Sequence, residues 1–433
     1  MLIITLPCAN PTARNLLKVI RAIKGTRDIV PPASATWNRV EAVARRVFAS
    51  YNYQEIRTPI FEETALFARG VGEETDIVSK EMYTWEDKDG TSLTLRPENT
   101  ASVIRAFIEH RMDQIPGPKK LYYMGPMFRR ERPQKGRYRQ FYQIGAEVIG
   151  SESPATDAEV IEMVVAILTE CGVEGLHLII NSVGCPDCRP GFNAALKEQL
   201  QPMKASLCEN CQRRAETNPL RVLDCKVPFD QPYIEKLPSI LDYLCPVCAK
   251  HFAAVREFLD DRGITYEVRP RLVRGLDYYT RTTFEITHGG LGAQSSVMGG
   301  GRYDGLAEML GSKVASPGMG FSIGEDRLVM IVEETTTAQP LSLDLYIAPM
   351  GDDAMRHAGV LARDLRHAGV SVEVGEGKLK RLMEWANKAG ARNTLILGDN
   401  EIDAGTYALK DMASGEQRSL SREELVRNLT SKN

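Results

Sequence analysis

Hydrophobic residues recur along this chain at two spacings, one typical of helices and one typical of strands. The helical spacing predicts helices over ATWNRVEAVARRVFASY and over DAEVIEMVVAILTECG, the second closed by Gly172. The stretch SLTLRPENTASVIRAFIEH predicts a strand, a polar turn and a helix that begins near Asn99 or Thr100. Strands are predicted over LHLIINSVG and over YQEIRTPIF, where Pro59 indicates an edge strand or a bend.

Two β-rich runs, KLYYMGPMFRRER and RYRQFYQIGAEVIG, are joined by Pro133–Gly136 and predict a hairpin with basic residues on its strands and at its tip. The segment ITYEVRPRLVRGLDYYTRTTFEIT predicts two strands around a turn at Gly275. LGAQSSVMGGGRYDGLAEML predicts a strand, a glycine-rich turn and a helix, and SPGMGFSIGEDRLVMIVEE repeats that pattern. We therefore interpret both glycine clusters as tight turns.

A linker, ETTTAQPLS, marks a domain boundary near residue 340, and 433 residues are enough for two or three domains. Strands and helices alternate beyond the linker, which predicts a small α/β domain with a mostly parallel sheet. We expect residues 20–338 to form the first domain, with an insertion at about 185–255, and residues 341–433 to form the second.

The composition, with 43% hydrophobic and 26% charged residues, is typical of a soluble globular protein. The apolar runs fall short of the ~20 residues that span a bilayer, so no membrane segment is expected. Residues 1–19 are interpreted as a poorly ordered extension or an artefact of start-site assignment. The alternative is a signal peptide or a lipoprotein anchor at Cys8, but the stretch has no basic n-region.

The net charge of −3 excludes a protein whose whole surface attracts nucleic acid, so any anion must be held by local clusters. One such cluster, FRRERPQKGRYRQF, contains six Lys or Arg residues in fourteen positions. On a strand, Arg129 and Glu131 would share one face, with Phe141 supplying a flat surface for a base. The alternative is a solvated charged hairpin.

The chain has no P-loop motif, and no histidine is spaced to serve a serine or cysteine nucleophile. Chemistry here would depend on positioning and charge neutralisation, as in phosphoryl or nucleotidyl transfer. Arg327 lies in the first turns of a predicted helix, where the helix dipole favours anions. Its alternative role is a structural salt bridge to Glu325 or Asp326.

Three stretches resemble the motifs of the class II aminoacyl-tRNA synthetases: YNYQEIRTPIFE for motif 1, FRRERPQKGRYRQF for motif 2 and GMGFSIGEDRL for motif 3. LRPENT and LVRGLDYYTRT further resemble signatures of the histidyl-tRNA synthetase family. The resemblance implies an α+β catalytic domain with an antiparallel sheet flanked by helices, a helical insertion and a C-terminal α/β anticodon-binding domain. It also implies a cytoplasmic homodimer.

The resemblance further implies a two-step reaction with tRNA-His, L-histidine and ATP as partners. The histidine carboxylate attacks the α-phosphate of Mg²⁺-bound ATP, and the adenylate then passes its histidyl group to the 3′ end of tRNA-His. No segment resembles a separate editing domain. A site that pairs both imidazole nitrogens would reject analogues ~10⁴-fold or more, so editing is not expected.

The roles of individual residues are also implied by the resemblance. Arg129 matches the arginine at the α-phosphate and amino-acid carboxylate, Arg274 a second arginine near the α-phosphate, and Arg327 the arginine at the γ-phosphate. The catalytic residues are therefore Arg129, Arg274, Arg327 and Glu131, and the ATP-binding residues are Arg129, Glu131, Phe141 and Arg327. The implied histidine-binding residues are Glu98, Asn99, Thr100, Arg129, Gln143, Glu147, Arg274, Tyr278 and Tyr279.

Within that histidine-binding set, the resemblance places Glu98, Thr100 and Gln143 around the α-amino group. It places Glu147 and Tyr279 on the imidazole. Asn99 stands where the family often has glycine, so a slightly different backbone is expected there.

Seven of the nine cysteines lie between Cys185 and Cys248, which fits thiols or metal ligands in a reducing compartment better than disulfides. The paired C-x-x-C spacing is that of a structural zinc site. We interpret one quartet as the zinc candidate: Cys208, Cys211, Cys245 and Cys248. The alternative is reduced thiols without metal.

Two other functions compete with aminoacylation. A synthetase-like regulatory subunit of ATP phosphoribosyltransferase shares the catalytic fold, but typically lacks the terminal α/β domain and departs from the RGLDYYTRT pattern. A zinc-dependent nucleic-acid binder without catalysis leaves the paired acids and arginines unexplained. A histidine-dependent ATP–pyrophosphate exchange assay distinguishes all three.

Overall fold

The computed structural model describes residues 20–72, 75–294, 296–335 and 343–430. The chain divides into two compact units, of which the first contains the described residues of 20–30 and 36–335 and the second residues 31–35 and 343–430. The predictions for residues 1–19 lie outside the described residues and stay predictions. Within the described ranges, no helix combines the length and apolar character needed to cross a membrane.

The α-helices, numbered along the chain, are α1 Ala33–Ser50, α2 Thr64–Val71, α3 Thr100–Glu109, α4 Pro154–Glu170, α5 Arg189–Leu200, α6 Glu209–Thr217, α7 Gln231–Ile234, α8 Pro246–Asp261, α9 Leu306–Met309, α10 Glu325–Thr335, α11 Asp352–His367, α12 Leu379–Lys388, α13 Asp399–Ala404 and α14 Arg422–Thr430. The strands are β1 Gln54–Glu55, β2 Phe61–Glu63, β3 Tyr83–Glu86, β4 Ser92–Leu95, β5 Lys119–Phe128, β6 Gln140–Ile149, β7 His177–Ser182, β8 Glu267–Val268, β9 Thr280–Thr287, β10 Ser296–Arg302, β11 Gly318–Gly324, β12 Leu345–Pro349, β13 Val372–Val374, β14 Asn393–Leu397, β15 Thr406–Asp411 and β16 Gln417–Ser421.

The first unit is built on an eight-stranded sheet with the order β1-β5-β6-β11-β10-β9-β7-β8. Its interior pairs are antiparallel, and only the edge pairs β1–β5 and β7–β8 are parallel. A separate three-stranded sheet has the order β2-β4-β3. The prediction of an antiparallel sheet flanked by helices is confirmed.

The main core of this unit lies between the large sheet and the helices that cover it. In α1 the buried residues Val40, Ala44, Val47 and Phe48 follow helical spacing, so one face is apolar. The ring of Phe48 stacks on Tyr122 of β5 with centroids 4.5 Å apart. This face anchors α1 to the sheet, as its sequence period predicts.

The predicted hairpin exists as β5 and β6, but the basic residues do not lie on its strands. Strand β5 ends at Phe128, strand β6 begins at Gln140, and residues 129–139 connect them. The backbone N–H of Arg130 donates to Glu81 O at 2.7 Å, and that of Arg139 donates to Gly25 O at 2.7 Å. Because these donors bond other segments, the strand pairing ends, and the prediction that these arginines lie on strands is wrong. Arg129 and Glu131 nevertheless lie on the same side, 3.9 Å apart.

Of two further strand predictions, one is confirmed and one is wrong. Strands β8 and β9 lie on either side of Gly275, as predicted, and both pair with β7. The two glycine clusters lie within strands β10 and β11, not in turns. Their lack of side chains serves close packing across the sheet, since a Cβ at Gly300 would lie 2.5 Å from Gly320 O.

The second unit has a five-stranded sheet with the order β13-β12-β14-β15-β16. The pairs β12–β13 and β12–β14 are parallel, whereas β14–β15 and β15–β16 are antiparallel. The α/β prediction is confirmed, but the sheet is mixed and not mostly parallel. Leu361 and Leu365 of α11 pack with Leu345 and Leu395 in its core.

The insertion between β7 and the end of α8 is helical, as predicted. It contains α5, α6 and α7 together with short 3₁₀ segments, and α8 then returns the chain to the main core. The apolar residues Leu196, Leu200, Leu207 and Ile234 of the insertion share a second core with Phe107 and Leu121. The insertion therefore packs against the helix α3 and the strand β5 of the first unit.

Candidate active site

A cavity of about 300 Å³ opens over strands β6, β10 and β11 of the large sheet. All but one of the residues predicted for histidine, ATP or catalysis line it. They are Glu98, Thr100, Arg129, Glu131, Phe141, Gln143, Glu147, Arg274, Tyr278, Tyr279 and Arg327. Segments that are far apart in sequence thus meet in one place, although their individual roles stay predictions.

One side of the cavity is cationic and is formed by the connection between β5 and β6. The guanidinium of Arg129 lies over the ring of Phe141, 5.2 Å from its centroid, and Nε donates to Pro97 O at 2.9 Å. Glu131 pairs with Arg137 at 2.9 Å and lies 3.9 Å from Arg129. A single carboxylate therefore faces two cations, which leaves positive charge for an anionic ligand.

Arg327 completes the cationic side as the third residue of α10. Its guanidinium donates to Ser296 O at 2.6 Å and to Gly136 O at 3.3 Å. The alternative salt bridges are not formed, because Asp326 pairs with Arg27 at 2.7 Å and the carboxylate of Glu325 is buried without a hydrogen bond. Burial, and then repulsion from Arg137, lowers the pKa of Arg327, so a bound anion would relieve an existing cost.

Arg274 also lines the cavity and is held by Glu285 of β9 through an ion pair. Burial alone would lower the pKa of Arg274, but the Glu285 carboxylate raises it overall. The guanidinium lies directly against the backbone of Gly299, so that a Cβ at that position would overlap it. Gly299 thus provides the space that the guanidinium of Arg274 occupies.

The opposite side of the cavity is acidic and phenolic. Glu98 accepts backbone N–H bonds from Thr100 and Ala101 at 2.7 and 3.0 Å, which begins α3. Glu147 of β6 accepts hydrogen bonds from Thr100 Oγ1 at 2.8 Å and from Tyr303 OH at 2.6 Å. Both acids are buried, and burial raises the pKa of Glu98 and raises that of Glu147 to about 8.

Tyrosine rings continue this side. Tyr278 and Tyr279 have centroids 4.7 Å apart, and Tyr278 meets Tyr303 edge to face at 5.9 Å. Gln143 also lines the cavity, and its Oε1 is buried without a hydrogen bond. Two buried carboxyl groups beside an unpaired amide oxygen suit a ligand with N–H groups.

Asn99 is the exception among the predicted residues, because it does not line the cavity. Its Oδ1 accepts hydrogen bonds from Thr58 Oγ1 at 2.6 Å and from Arg96 at 3.2 Å. The backbone at Asn99 has φ −121°, which any residue adopts, so glycine is not needed there. The structure gives Asn99 a position behind the site, at the start of α3.

The sequence reasoning missed several residues of the site. Tyr303 was assigned to a turn in GGRYDG, Glu285 lies in a plain strand, and Arg137 was one basic residue of many. Gly320 is a further case, since a Cβ there would overlap Glu147 and lie 2.6 Å from Ala146 O. A closely spaced glycine series in β10 and β11 is the available signal, because it marks strands approached by large side chains.

The predicted zinc quartet is wrong in its pairing. Cys245 and Cys248 lie with Cys185 and Cys188, which we name the outer cluster. The inner cluster is formed by the remaining candidates and two other residues: Cys208, Cys211, Cys225 and Asp230. Cys188 precedes α5 and Cys245 precedes α8, and these two helix starts are neighbours, so spacing in sequence misassigned the partners.

With its motifs placed around one cavity on an antiparallel sheet, the first unit has the fold and site of a class II aminoacyl-tRNA synthetase. The sequence profile of the family described as Histidyl-tRNA synthetase matches residues 25–201 and 232–328, more than half of the chain. The chain belongs to the histidyl-tRNA synthetase family. Residues 344–432 match the profile of an anticodon binding domain.

Individual relatives agree with the family. The chain is similar to a histidine–tRNA ligase of Solibacter usitatus, with 69% identity over 95% of this chain and 99% of the relative. A histidine–tRNA ligase of Koribacter versatilis is 59% identical over 94% of this chain and 95% of the relative. The crystal structure of apo S. aureus histidyl-tRNA synthetase aligns with a TM-score of 0.79 and 39% identity, covering 95% of this chain and 100% of that chain.

Proposed function

We propose that this chain is a histidine–tRNA ligase, which activates L-histidine with ATP and transfers the histidyl group to the 3′ end of tRNA-His. The observation that carries the proposal is a single cavity with a cationic side at Arg129, Arg137 and Arg327 and an acidic, phenolic side at Glu98 and Glu147. Histidine matches this division, because its carboxylate can face the arginines while its α-amino group and imidazole face the acidic side.

Adenylate formation joins the histidine carboxylate to the α-phosphorus of ATP, and pyrophosphate leaves with the electron pair of the broken P–O bond. Negative charge accumulates on the α-phosphate oxygens during this displacement. Arg129 and Arg274 are already fixed by Pro97 O and Glu285, so they stabilise that charge without reorganising. Arg327, on the cationic side, is assigned to the γ-phosphate.

ATP activation by this class of enzyme implies Mg²⁺. Mg²⁺ is usually bound by one or two carboxylates and by the substrate phosphates. The cavity fits this pattern, because Glu131 would supply one such carboxylate beside Arg129. When bound, Mg²⁺ neutralises charge on the phosphate oxygens. The ring of Phe141 is assigned to the adenine base, which would stack on it.

Histidine recognition is assigned to the acidic side. Glu98, Thr100 and Gln143 would surround the α-amino group, while Glu147 and Tyr279 would bond the imidazole and Tyr278 would line its pocket. The buried carboxyl of Glu147 already accepts a phenol hydrogen bond from Tyr303, which fixes its plane. A ligand without imidazole nitrogens would leave such buried groups unpaired, at a cost of ~10⁴-fold or more in kcat/KM.

The second unit is assigned to the anticodon of tRNA-His, supported by its match to an anticodon binding domain. We also propose a homodimer in the cytoplasm, supported by the family and, for the compartment, by the free thiols of the described cysteines. Size-exclusion chromatography with light scattering measures the proposed dimer directly. A monomer at working concentration would contradict it.

The experiment that tests the function is ATP–pyrophosphate exchange measured with each amino acid in turn. Exchange is expected with histidine, and kcat/KM should be ~10⁴-fold lower with every other amino acid. Charging of tRNA-His transcripts with histidine is the second step of the test. A synthetase-like regulatory subunit of ATP phosphoribosyltransferase predicts no exchange. Absence of exchange with histidine, in protein that remains folded, would contradict the proposal.

A further inference from the structure

The cysteines of the insertion have no part in the proposed reaction, yet the fold gathers them into two compact groups. Within each cluster the candidate ligand atoms all lie within 4.8 Å of one another. The outer cluster joins residues about sixty positions apart, and the inner cluster lies between them in the chain. Such convergence of thiols from separate segments needs a physical reason.

The sulfur separations in the outer cluster match a tetrahedral metal site. Four thiolates at about 2.3 Å from a zinc ion lie about 3.8 Å from each other at the corners of a tetrahedron. Cys185 Sγ lies 3.6 Å from Cys188 Sγ and 3.9 Å from Cys245 Sγ. A disulfide needs about 2.05 Å and joins sulfurs only in pairs, whereas Cys185 has several sulfur neighbours.

A backbone donor and two helix starts face the sulfur atoms of the outer cluster. The N–H of Cys245 donates to Cys188 Sγ at 3.1 Å. Cys188 and Cys245 stand at the starts of α5 and α8, where the positive ends of two helix dipoles meet. Cysteine binds zinc as a thiolate, and the two helix starts complement the negative charge that a bound site would carry.

The inner cluster adds a carboxylate to three thiols. Asp230 has no exposed surface, and its Oδ1 accepts the N–H of Cys208 at 2.9 Å. Its Oδ2 lies 3.0 Å from Cys225 Sγ, which is 3.9 Å from Cys208 Sγ. Within the described part of the chain, no Lys, Arg or His forms a salt bridge with Asp230. Three thiols and one carboxylate without a cationic side chain form a donor set that suits a zinc ion.

We propose that the insertion binds two Zn²⁺ ions, one held by the four thiolates of the outer cluster and one by the three thiolates and carboxylate of the inner cluster. The ions are structural, because four protein ligands close each tetrahedron. The outer ion ties the two ends of the insertion together, and the inner ion ties its middle.

Both metal sites would also fix the position of residues that line the cavity, a consequence that rests on the proposed function. Arg189, next to Cys188, donates to the carbonyl of Tyr279. Arg221, four residues before Cys225, donates to Gly275 O at 2.6 Å and pairs with Asp277 at 3.2 Å. Each metal thus holds a positioning arginine against the segment that carries Arg274 and Tyr278.

Metal analysis of the full chain, purified without chelators, tests the proposal independently of activity. Two Zn²⁺ per chain are expected in the wild type, one each in Cys188→Ser and Cys225→Ser, and none in the double variant. Cys171→Ser is the matched control, because Cys171 is a buried thiol outside both clusters and should leave two Zn²⁺. Cys171→Ser binding fewer than two ions would indicate a general folding effect and contradict the site assignment.

Two results would overturn the proposal directly. One Zn²⁺ per chain that survives both Cys188→Ser and Cys225→Ser would support the quartet suggested by spacing. No Zn²⁺ in wild-type protein expressed with added zinc would exclude both sites. Substitution of the wild type with Co²⁺ needs no variant, and intense tetrahedral bands with sulfur charge transfer from two ions per chain are expected; octahedral bands would contradict the geometry.

Loss of either ion should raise the KM for histidine severalfold through the positioning arginines, and Arg221→Gln should do so while keeping two Zn²⁺. If metal is bound as expected but the KM is unchanged, the two sites stand and only their link to the cavity fails. If exchange with histidine is absent while two Zn²⁺ are present, the proposed function fails and the metal sites stand.

Discussion

At the scale of single residues, burial decides how the acidic side of the cavity behaves. Glu147 has about 1% of its surface exposed and Glu98 about 4%, and neither forms a salt bridge within the described residues. Glu147 therefore keeps its proton to a higher pH than a free carboxyl, with its pKa raised to about 8. Hydrogen bonds from Thr100 and Tyr303 hold the group in place in either form.

This raised pKa predicts a pH-dependent stability. Between the ordinary pKa near 4.5 and about 8, the folded state holds a proton that the unfolded state has released, so the free energy of unfolding falls as pH rises. Glu147→Gln removes this ionisation and should reduce the slope by about 1 kcal/mol per pH unit in that window. Urea denaturation at several pH values measures it.

The exposed strand residue Glu86 provides the control, since Glu86→Gln should leave the slope unchanged. If Glu147→Gln and the wild type lose stability in parallel from pH 5 to pH 8, the carboxyl is ionised in the folded state. The assignment of Glu147 as a buried neutral acid would then be wrong.

Single residues also show which roles a sequence reveals. Arg129, Arg274 and Arg327 stand out through motifs, and the structure places all three on one cavity. Glu285 and Tyr303 carry no such signal, because their importance comes from Arg274 and Glu147, which reach them only after folding. Asn99 lies inside a motif, but its side chain does not line the cavity, so a position in a motif does not by itself identify a site residue.

At the scale of elements, the glycines of β10 and β11 shape the floor of the cavity. Gly299 makes room for the guanidinium of Arg274 and Gly320 for the carboxyl of Glu147. Both strands are central in the sheet, where backbone pairing fixes their positions on either side. The absence of a Cβ thus becomes a feature of the site.

This arrangement predicts the effect of one methyl group. Gly299→Ala should displace Arg274 and lower kcat of ATP–pyrophosphate exchange by ~10²-fold or more, since a misplaced group in the site costs that much. The free energy of unfolding should fall by only ~1–3 kcal/mol. Gly305→Ala is the control, because a Cβ there meets no atom within 4 Å. A wild-type kcat in Gly299→Ala would contradict the claim that Gly299 positions the guanidinium of Arg274.

The elements themselves were predictable where a local pattern sets them. Helices α1, α3 and α4 follow their apolar periods, and Asn99 marks the start of α3. The conformation of the connection 129–139 was not predictable, because its backbone donors bond Glu81 and Gly25, which are distant in sequence. The partner of each cysteine pair was missed for the same reason.

At the scale of the whole molecule, the chain has two units that match different families. The first carries the cavity and the insertion, and the second matches an anticodon binding domain. Alternation of strands and helices predicted the second unit, but not the antiparallel pairs of β15 and β16 at its edge. Pairing direction depends on how the chain returns to the sheet, which a period in sequence does not record.

The central claim is that arginines from three distant segments act together on one triphosphate. Single-turnover formation of histidyl-adenylate tests it most directly in Arg129→Ala, Arg274→Ala and Arg327→Ala, with circular dichroism to check folding. Arg363→Ala is the control, because that side chain is 62% exposed and belongs to the second unit. Each cavity variant should lower the rate ~10²–10³-fold, while the control matches the wild type. Rates within about twofold of the wild type for the cavity variants, as folded proteins, would contradict the account.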